Sequence, residues 1–324
     1  MNINICFTPD DNYAKHLAVT IVSILKNANV DDEFSFYVLD SGISEDKKNK
    51  ISELNKIKTF YIKYVKFDTS VFEKFQLVQS YFSLAVYYRL LMADLLPDID
   101  KVIYLDCDIV VLSSLRKLFE EDINEFYIAG VEDIGHYYNH QVLKTELEKL
   151  HINSGVMIVN LKLWRRDNLG NKLITFARET KEELTFGDQD VINKLLNCKR
   201  LDLKWNVQTF PCSHVYNNMI FHPLKDEIIE AVRNPHIIHY ITSCKPWDYD
   251  VPFGYLYLKY LQYTPFKMSI IKVILKQFKY LVLRCREAVK FVLFPTFIIY
   301  RSKGWIKLSV FNLLELKIFP SNKK

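Results

Sequence analysis

Glycine is scarce in this sequence, with 8 residues in a chain of 324. That count excludes collagen-like, fibrous and glycine-linker architectures. Cysteine is present but unpatterned. Its six residues (Cys6, Cys107, Cys198, Cys212, Cys244 and Cys285) are scattered and include no C-x-x-C pair. Free thiols in a reducing compartment are therefore expected, not a disulfide framework. The segment Met1-Asn2-Ile3-Asn4 has neither the basic start nor the apolar run of a signal peptide, so a cytosolic body is expected. No uninterrupted apolar stretch reaches the roughly 18 residues that a membrane-spanning helix needs. Internal repeats and low-complexity linkers are also missing.

Acidic residues are nearly absent from one end. From Leu261 to Lys324 there are 13 basic and 2 acidic residues, a charge of +11, while the preceding part has 30 basic and 36 acidic residues, a charge of −6. The net charge of +5 is thus the sum of an acidic body and a basic tail. Such an asymmetry points to a membrane surface or nucleic acid as the partner of the tail.

What the chain has in quantity is core-forming material, 49% hydrophobic and 14% aromatic residues. Short apolar runs alternate with helical patterns, the mark of an α/β sheet. Strands are expected at Ile3–Thr8, Phe34–Leu39, Phe60–Tyr64, Lys101–Leu105, Phe126–Val131 and Val156–Asn160, with a late apolar run at Ile237–Tyr240. Helices are expected from Leu17 to Ala28 with Asp11 or Asn12 as N-cap, from Ser44 to Lys56, from Ser83 to Leu96, and from Asp188 to Asn197. The charge break divides the chain into a body over residues 1–258 and a tail over 259–324. Between Lys267 and Lys290, Lys272, Lys276, Lys279, Arg286 and Lys290 fall within about 80° of helical arc, opposite Ile, Leu and Phe. A helical, surface-lying anchor is expected there. The Ile, Leu and Phe content favours lipid over a phosphate backbone, and no nucleic-acid module is visible.

Asp106-Cys107-Asp108 directly follows the strand Val102–Leu105. Both carboxylates therefore emerge at a strand's carboxyl end, where open α/β sheets place ligands. Such a pair can hold a hard divalent cation, Mg²⁺ or Mn²⁺, which in turn can neutralise a diphosphate. The same spacing at Asp98/Asp100, Asp188/Asp190 and Asp248/Asp250 lacks that placement. His239 follows Ile237-Ile238, and Lys245-Pro246-Trp247 lies six residues on. A lysine on a rigid Pro-Trp corner can present its ammonium to a phosphate.

Four collinear segments carry a resemblance: Phe7 to Ala14, Val102 to Asp108, Asn153 to Leu161 with Trp164-Arg165, and His239-Tyr240 to Lys245-Pro246-Trp247. Asp188-Gln189-Asp190 fits as a fifth. Over roughly residues 1–250 the chain resembles glycosyltransferase family 8, the bacterial retaining galactosyl- and glucosyltransferases of lipopolysaccharide and related glycans. The resemblance implies a GT-A nucleotide-sugar-binding fold with a mixed central sheet flanked by helices. It implies a uridine contact by Thr8, Asp10 and Asn12, and manganese on Asp106, Asp108 and His239. Lys245 is then placed at the diphosphate and Arg89 near the donor sugar. Asp133, Asn153, Asp188 and Gln189 are placed around the sugar and the reacting carbon. The implied donor is UDP-glucose or UDP-galactose. The implied acceptor is a saccharide, and the basic tail adds the expectation of a lipid-linked acceptor met at the inner face of the membrane. One departure is Thr242, where the family has glycine close to the diphosphate.

Retention through a carboxylate nucleophile is one route. The matched residue at the reacting face is Gln189, a poor nucleophile, which favours same-face substitution assisted by the leaving diphosphate. The competing classes are a metal-dependent phosphohydrolase, for which no dense His/Asp cluster is evident, and a degenerate transferase acting as a scaffold. The acceptor pocket is expected from residues 133–145 and 211–221.

Overall fold

The computed structural model describes residues 1–72, 75, 84–135, 150–180, 184–209 and 223–269, and the backbone of 291–294, 297–302, 305–310 and 314–320. A seven-stranded mixed sheet forms its centre, in the order β3-β2-β1-β4-β7-β6-β8. Strands β1 (Asn2–Phe7), β2 (Glu33–Asp40), β3 (Tyr61–Lys66) and β4 (Lys101–Leu105) run parallel. The short β5 (Ile109–Val111) leaves this sheet, and β6 (Ile128–Glu132), β7 (Ile152–Asn160) and β8 (Cys198–Arg200) complete it. Strand β7 is antiparallel to both β4 and β6.

Alternation along the central strands builds two cores, one on each face. Ile103 and Leu105 of β4 join Ile3, Ile5 and Phe7 beneath α1 (Ala14–Lys26). Val102 and Tyr104 point the other way, into a cluster with Cys6, Met157 and Trp164. Burying each such Ile, Leu or Phe stabilises the fold by roughly 1.5–3 kcal/mol. Strands covered on both faces have no need of polar alternation, which explains the continuous apolar runs.

Further helices are α2 (Glu45–Ser52), α3 (Met92–Leu95), α4 (Arg116–Glu120), α5 (Leu161–Arg166), α6 (Leu169–Glu179), α7 (Asp188–Leu195), α8 (Lys225–Arg233) and α9 (Gly254–Leu261). Of these, α4, α5, α6, α8 and α9 were not anticipated from the sequence. The expected helix over 83–96 is different in kind, a 3₁₀ helix over Leu84–Leu91 before the single α turn of α3. Tyr87, Tyr88, Arg89 and Leu90 are all buried there, so the segment is enclosed on every side and presents no single apolar stripe. Tyr13, not Asp11 or Asn12, precedes the first turn of α1, and Asp10 Oδ1 accepts the Tyr13 N–H at 2.9 Å.

The chain fills β1, moves to one side for β2 and β3, then returns to the other side for β4. The carboxyl ends of β1 and β4 therefore border a topological switch point, the crevice where such sheets bind ligands. A second, three-stranded sheet closes this edge, in the order β5-β10-β9, with β9 at Val207–Gln208 and β10 at Ile237–His239. Its register pairs His239 with Ile109 and with Gln208. Helix α9 runs across residue 258 and packs on α1. There the Tyr257 hydroxyl meets His16 Nδ1 at 2.7 Å, and Asn27 Nδ2 donates to the Tyr260 hydroxyl at 2.8 Å.

The expected anchor helix spans residues 267–290, of which 270–290 lie outside the described residues. Beyond it the described residues of the tail are not helical. Strands β11 (Phe291–Phe294), β12 (Phe297–Ser302), β13 (Trp305–Val310) and β14 (Leu314–Pro320) form an antiparallel meander. Pro295 breaks helical periodicity, and Trp305, Lys307 and Ser309 alternate with Ile306, Leu308 and Val310, a period of two. No helix among the described residues is long and apolar enough to cross a membrane. The described cysteines Cys6, Cys107, Cys198 and Cys244 are free.

Candidate active site

The chain bends at Cys107 and Asp108 between β4 and β5, burying Cys107 in the core while Asp106 and Asp108 bring their carboxylates together. Two backbone bonds fix the pair: Asp106 N–H donates to Gly155 O at 2.9 Å, and Tyr240 N–H donates to Asp108 O at 3.0 Å. The second bond brings His239 alongside. His239 Nε2 lies 3.6 Å from Asp106 Oδ2 and 3.3 Å from Asp108 Oδ1. One ligand atom from each residue falls within 4.8 Å of the other two. Two carboxylate oxygens and an imidazole nitrogen converging in this way fit a divalent cation such as Mn²⁺ or Mg²⁺. Gly155 makes the convergence possible, because a Cβ there would lie 2.1 Å from His239 Cε1 and 2.7 Å from Asp106 Oδ2.

Burial opposes ionisation of Asp108, but the Lys245 ammonium, joined by the His239 ring, outweighs it and holds the carboxyl well below the usual range. Lys245 Nζ donates to Asp108 Oδ2 at 2.5 Å and to Tyr240 O at 2.6 Å. Its corner is braced from below. Trp247 stacks on His16 with centroids 3.5 Å apart, and Tyr13 meets Trp247 edge-on. Burial, reinforced by the Lys15 charge, pushes the His16 pKa down to about 3, so the stacked ring is neutral. Thr242 adopts no left-handed backbone conformation, and its hydroxyl accepts the Cys244 N–H at 3.2 Å. A glycine is therefore not required there for φ > 0.

Arg89, 4% exposed, bridges two carboxylates. Its Nη2 donates to Asp106 Oδ1 at 3.0 Å, while its Nε lies 3.1 Å from Asp188 Oδ2. Nη1 donates to Ser154 O at 2.8 Å, and the guanidinium sits 4.3 Å from the Tyr104 ring centroid. Tyr104 donates its hydroxyl proton to Asp106 Oδ1 at 2.8 Å and is 2.8 Å from Thr8 Oγ1. Asp106 Oδ1 is thereby occupied, and Oδ2 remains facing His239. Asp188 has its pKa raised to about 7, first by burial, with Asp106 adding to the rise and Arg89 opposing it.

Beyond Arg89 the site becomes a group of amides. Asn153 Nδ2 donates to Gln189 Oε1 at 3.2 Å, and Gln189 Nε2 donates to Asp133 Oδ2 at 2.7 Å. Hydrogen bonds thus join Asp106, Asp108, His239, Lys245, Arg89, Asn153, Asp188, Gln189 and Asp133 around one crevice, and Thr8 joins through Tyr104. Asp10 is spent on the turn before α1, and Asn12 is exposed on the same loop. Tyr104, Ser154, Gly155 and Asn206 complete the site and were not singled out from the sequence. Only Gly155 left a signal, since a glycine inside a strand often marks a close approach. Of the expected acceptor segments, 136–145 and 211–221 lie outside the described residues.

The chain is similar to known bacterial proteins. General stress protein A of Bacillus subtilis is 33% identical over 263 residues, covering 79% of this chain and 91% of its own length. The lipopolysaccharide 1,3-galactosyltransferase of Salmonella typhimurium is 26% identical over 254 residues, 75% of this chain and 72% of that protein. Among solved structures, the galactosyltransferase LgtC with donor and acceptor sugar analogs superposes with a TM-score of 0.72 at 26% identity, covering 82% of this chain and 98% of that one. The bifunctional glycosyltransferase WbbM gives a TM-score of 0.70 at 23% identity, over 84% of this chain and 51% of that one, a likeness of fold. The central sheet and its flanking helices are a GT-A fold. The family model for glycosyl transferase family 8 matches residues 4–251, and the chain belongs to that family.

Proposed function

We propose that the chain transfers a hexose, glucose or galactose, from its UDP-sugar to a saccharide acceptor with retention, in the synthesis of a bacterial surface glycan. The observation that carries this reading is the convergence of Asp106, Asp108 and His239 beside the Lys245 ammonium. The family and the 1,3-galactosyltransferase relative support the reaction class and a galactose donor.

Asp106, Asp108 and His239 would hold Mn²⁺ or Mg²⁺, and a bound cation would supply charge neutralisation to the diphosphate. Lys245 donates to a diphosphate oxygen and strengthens as the bridging oxygen gains charge, so it stabilises departure more than the ground state. Thr8, Asp10 and Asn12 line the approach to the nucleoside from the loop after β1. Arg89 holds Asp106 and Asp188 at a fixed separation under the donor sugar. Gln189 has both ends of its amide engaged, and Asp188 is tied to Arg89 and Ser154. Neither is presented as a free nucleophile, which supports same-face substitution. Mass-spectrometric detection of a sugar trapped on Asp188 or Asp190 would reverse that preference.

The basic tail supports a peripheral position on an anionic membrane face, convenient for a lipid-linked acceptor. On α9 and its extension Tyr255, Lys259, Tyr263 and Lys267 are exposed at every fourth position, and the Lys26 ammonium lies 3.8 Å from the Tyr263 ring centroid. Such Tyr/Lys alternation suits a headgroup region. A panel of UDP-sugars with Mn²⁺, read as UDP release, tests the transfer reading. Turnover with UDP-galactose or UDP-glucose is expected, and UDP binding without turnover on any donor would leave a scaffold.

A further inference from the structure

Asn206 precedes β9, carries no motif and is completely buried. Its side chain lies between the proposed metal ligand His239 and the amide group of Asn153 and Gln189. His239 Nδ1 is 3.1 Å from Asn206 Oδ1, and Asn206 Nδ2 donates to Asn153 Oδ1 at 2.9 Å.

The orientation of these amides is set by partners that cannot reverse. A backbone N–H is only a donor, and Gly155 N–H points at Asn153 Oδ1 at 3.2 Å. The Ser154 N–H likewise points at Gln189 Oε1 at 3.1 Å. At the far end the Asp133 carboxylate accepts from Gln189 Nε2. With Asn153 Oδ1 facing Asn206, Asn206 must turn its NH₂ toward Asn153 and its carbonyl toward His239. That carbonyl can only accept, so the proton of the neutral imidazole sits on Nδ1. Nε2 then carries the lone pair, and it is Nε2 that faces Asp106 and Asp108.

We propose that Asn206 is a positioning residue of the metal site, holding His239 in the ring orientation and tautomer that offer Nε2 to the cation. The proposal rests on the metal reading above and adds to it the residue that makes His239 a preset ligand. Histidine ligands commonly give their second N–H to a carboxylate, carbonyl or water, and loss of that partner typically costs about 10–100-fold in metal affinity.

The test is calorimetric titration of Mn²⁺ alone into the full chain and into N206L and N206D. Asn206→Leu keeps volume and removes the acceptor, so Mn²⁺ affinity should fall by about 10–100-fold. Asn206→Asp keeps an acceptor for Nδ1–H, so affinity should stay close to that of the wild type although the bond to Asn153 is lost. Equal affinities in all three proteins, or equal losses in both variants, overturn the proposal. A wild-type chain with no measurable Mn²⁺ affinity overturns the metal reading itself, and the proposal with it. Should N206L fail to fold, ¹⁵N NMR of the His239 ring in the Mg²⁺-loaded wild type decides. A proton on Nδ1 is expected, and a proton on Nε2 overturns the assignment.

Discussion

Two Asp-x-Asp triplets with identical spacing have opposite fates in this fold. Asp106-Cys107-Asp108 bends between β4 and β5, and its two carboxylates converge on His239. Asp188-Gln189-Asp190 opens α7, where residues two apart point about 200° from one another. Asp188 turns to Arg89 and Ser154, whereas Asp190 turns back to accept the Phe186 N–H at 2.7 Å. Spacing acquires chemical meaning only through the local backbone.

The most damaging way to probe this contrast is Asp106→Ala or Asp108→Ala. Either should weaken Mn²⁺ binding by more than the 10–100-fold typical of losing an outer-shell partner. UDP release should disappear with it, and wild-type turnover in either variant would remove the metal assignment. Next comes Gly155→Ala, which leaves every ligand in place but sets a methyl against His239 and Asp106. A Mn²⁺ titration should show a clear loss without loss of folding, and an unchanged affinity would show that the ligands have room to shift.

Asp188 sharpens the other side. Its pKa rises from 3.8 to about 7, so between these values the folded chain binds a proton that the unfolded chain releases. Its stabilising contribution is therefore complete below about pH 4 and is lost as pH rises through about 7. The wild-type melting temperature should fall relative to that of D188N over this window, and parallel curves would show that Asp188 ionises freely. The smallest effect is expected from D98N and D100N, a pair of the same spacing in an exposed turn where Asp100 meets Arg165 at 2.7 Å. Exposed pairs of this kind contribute about 0–1 kcal/mol, so calorimetry should find Mn²⁺ affinity unchanged.

The strands of the parallel half were legible because double-sided burial leaves continuous apolar runs, and Asp106 and Asp108 were legible because they close one such run. His239 and Lys245 were suggested by the apolar run and the Pro-Trp corner, but their approach to β4 was not legible, since it depends on the β5–β10 register across more than a hundred residues. Asn206 and Tyr104 left no local trace. Their roles lie wholly in what they touch. The 3₁₀ segment carrying Arg89 and the strands beyond Phe291 show the reverse case, where a plausible helical period lost to tertiary packing and to a proline.

Helix α9 carries a consequence for handling the protein. His16 is shared: one face of its ring lies on Trp247, beside Lys245, and its Nδ1 meets Tyr257 of α9. Tyr257 and Tyr260 thus tie α9 to α1, and Tyr257 also packs on Trp247 at the corner that holds Lys245. Thr264, buried and bonded back to Leu261 O at 2.8 Å, continues this joint, and Phe266 and Met268 pack on the same core. A shortened chain should therefore be cut after Met268, because a cut at 258 would sever the last turn of α9 and slacken the loop that carries Lys245.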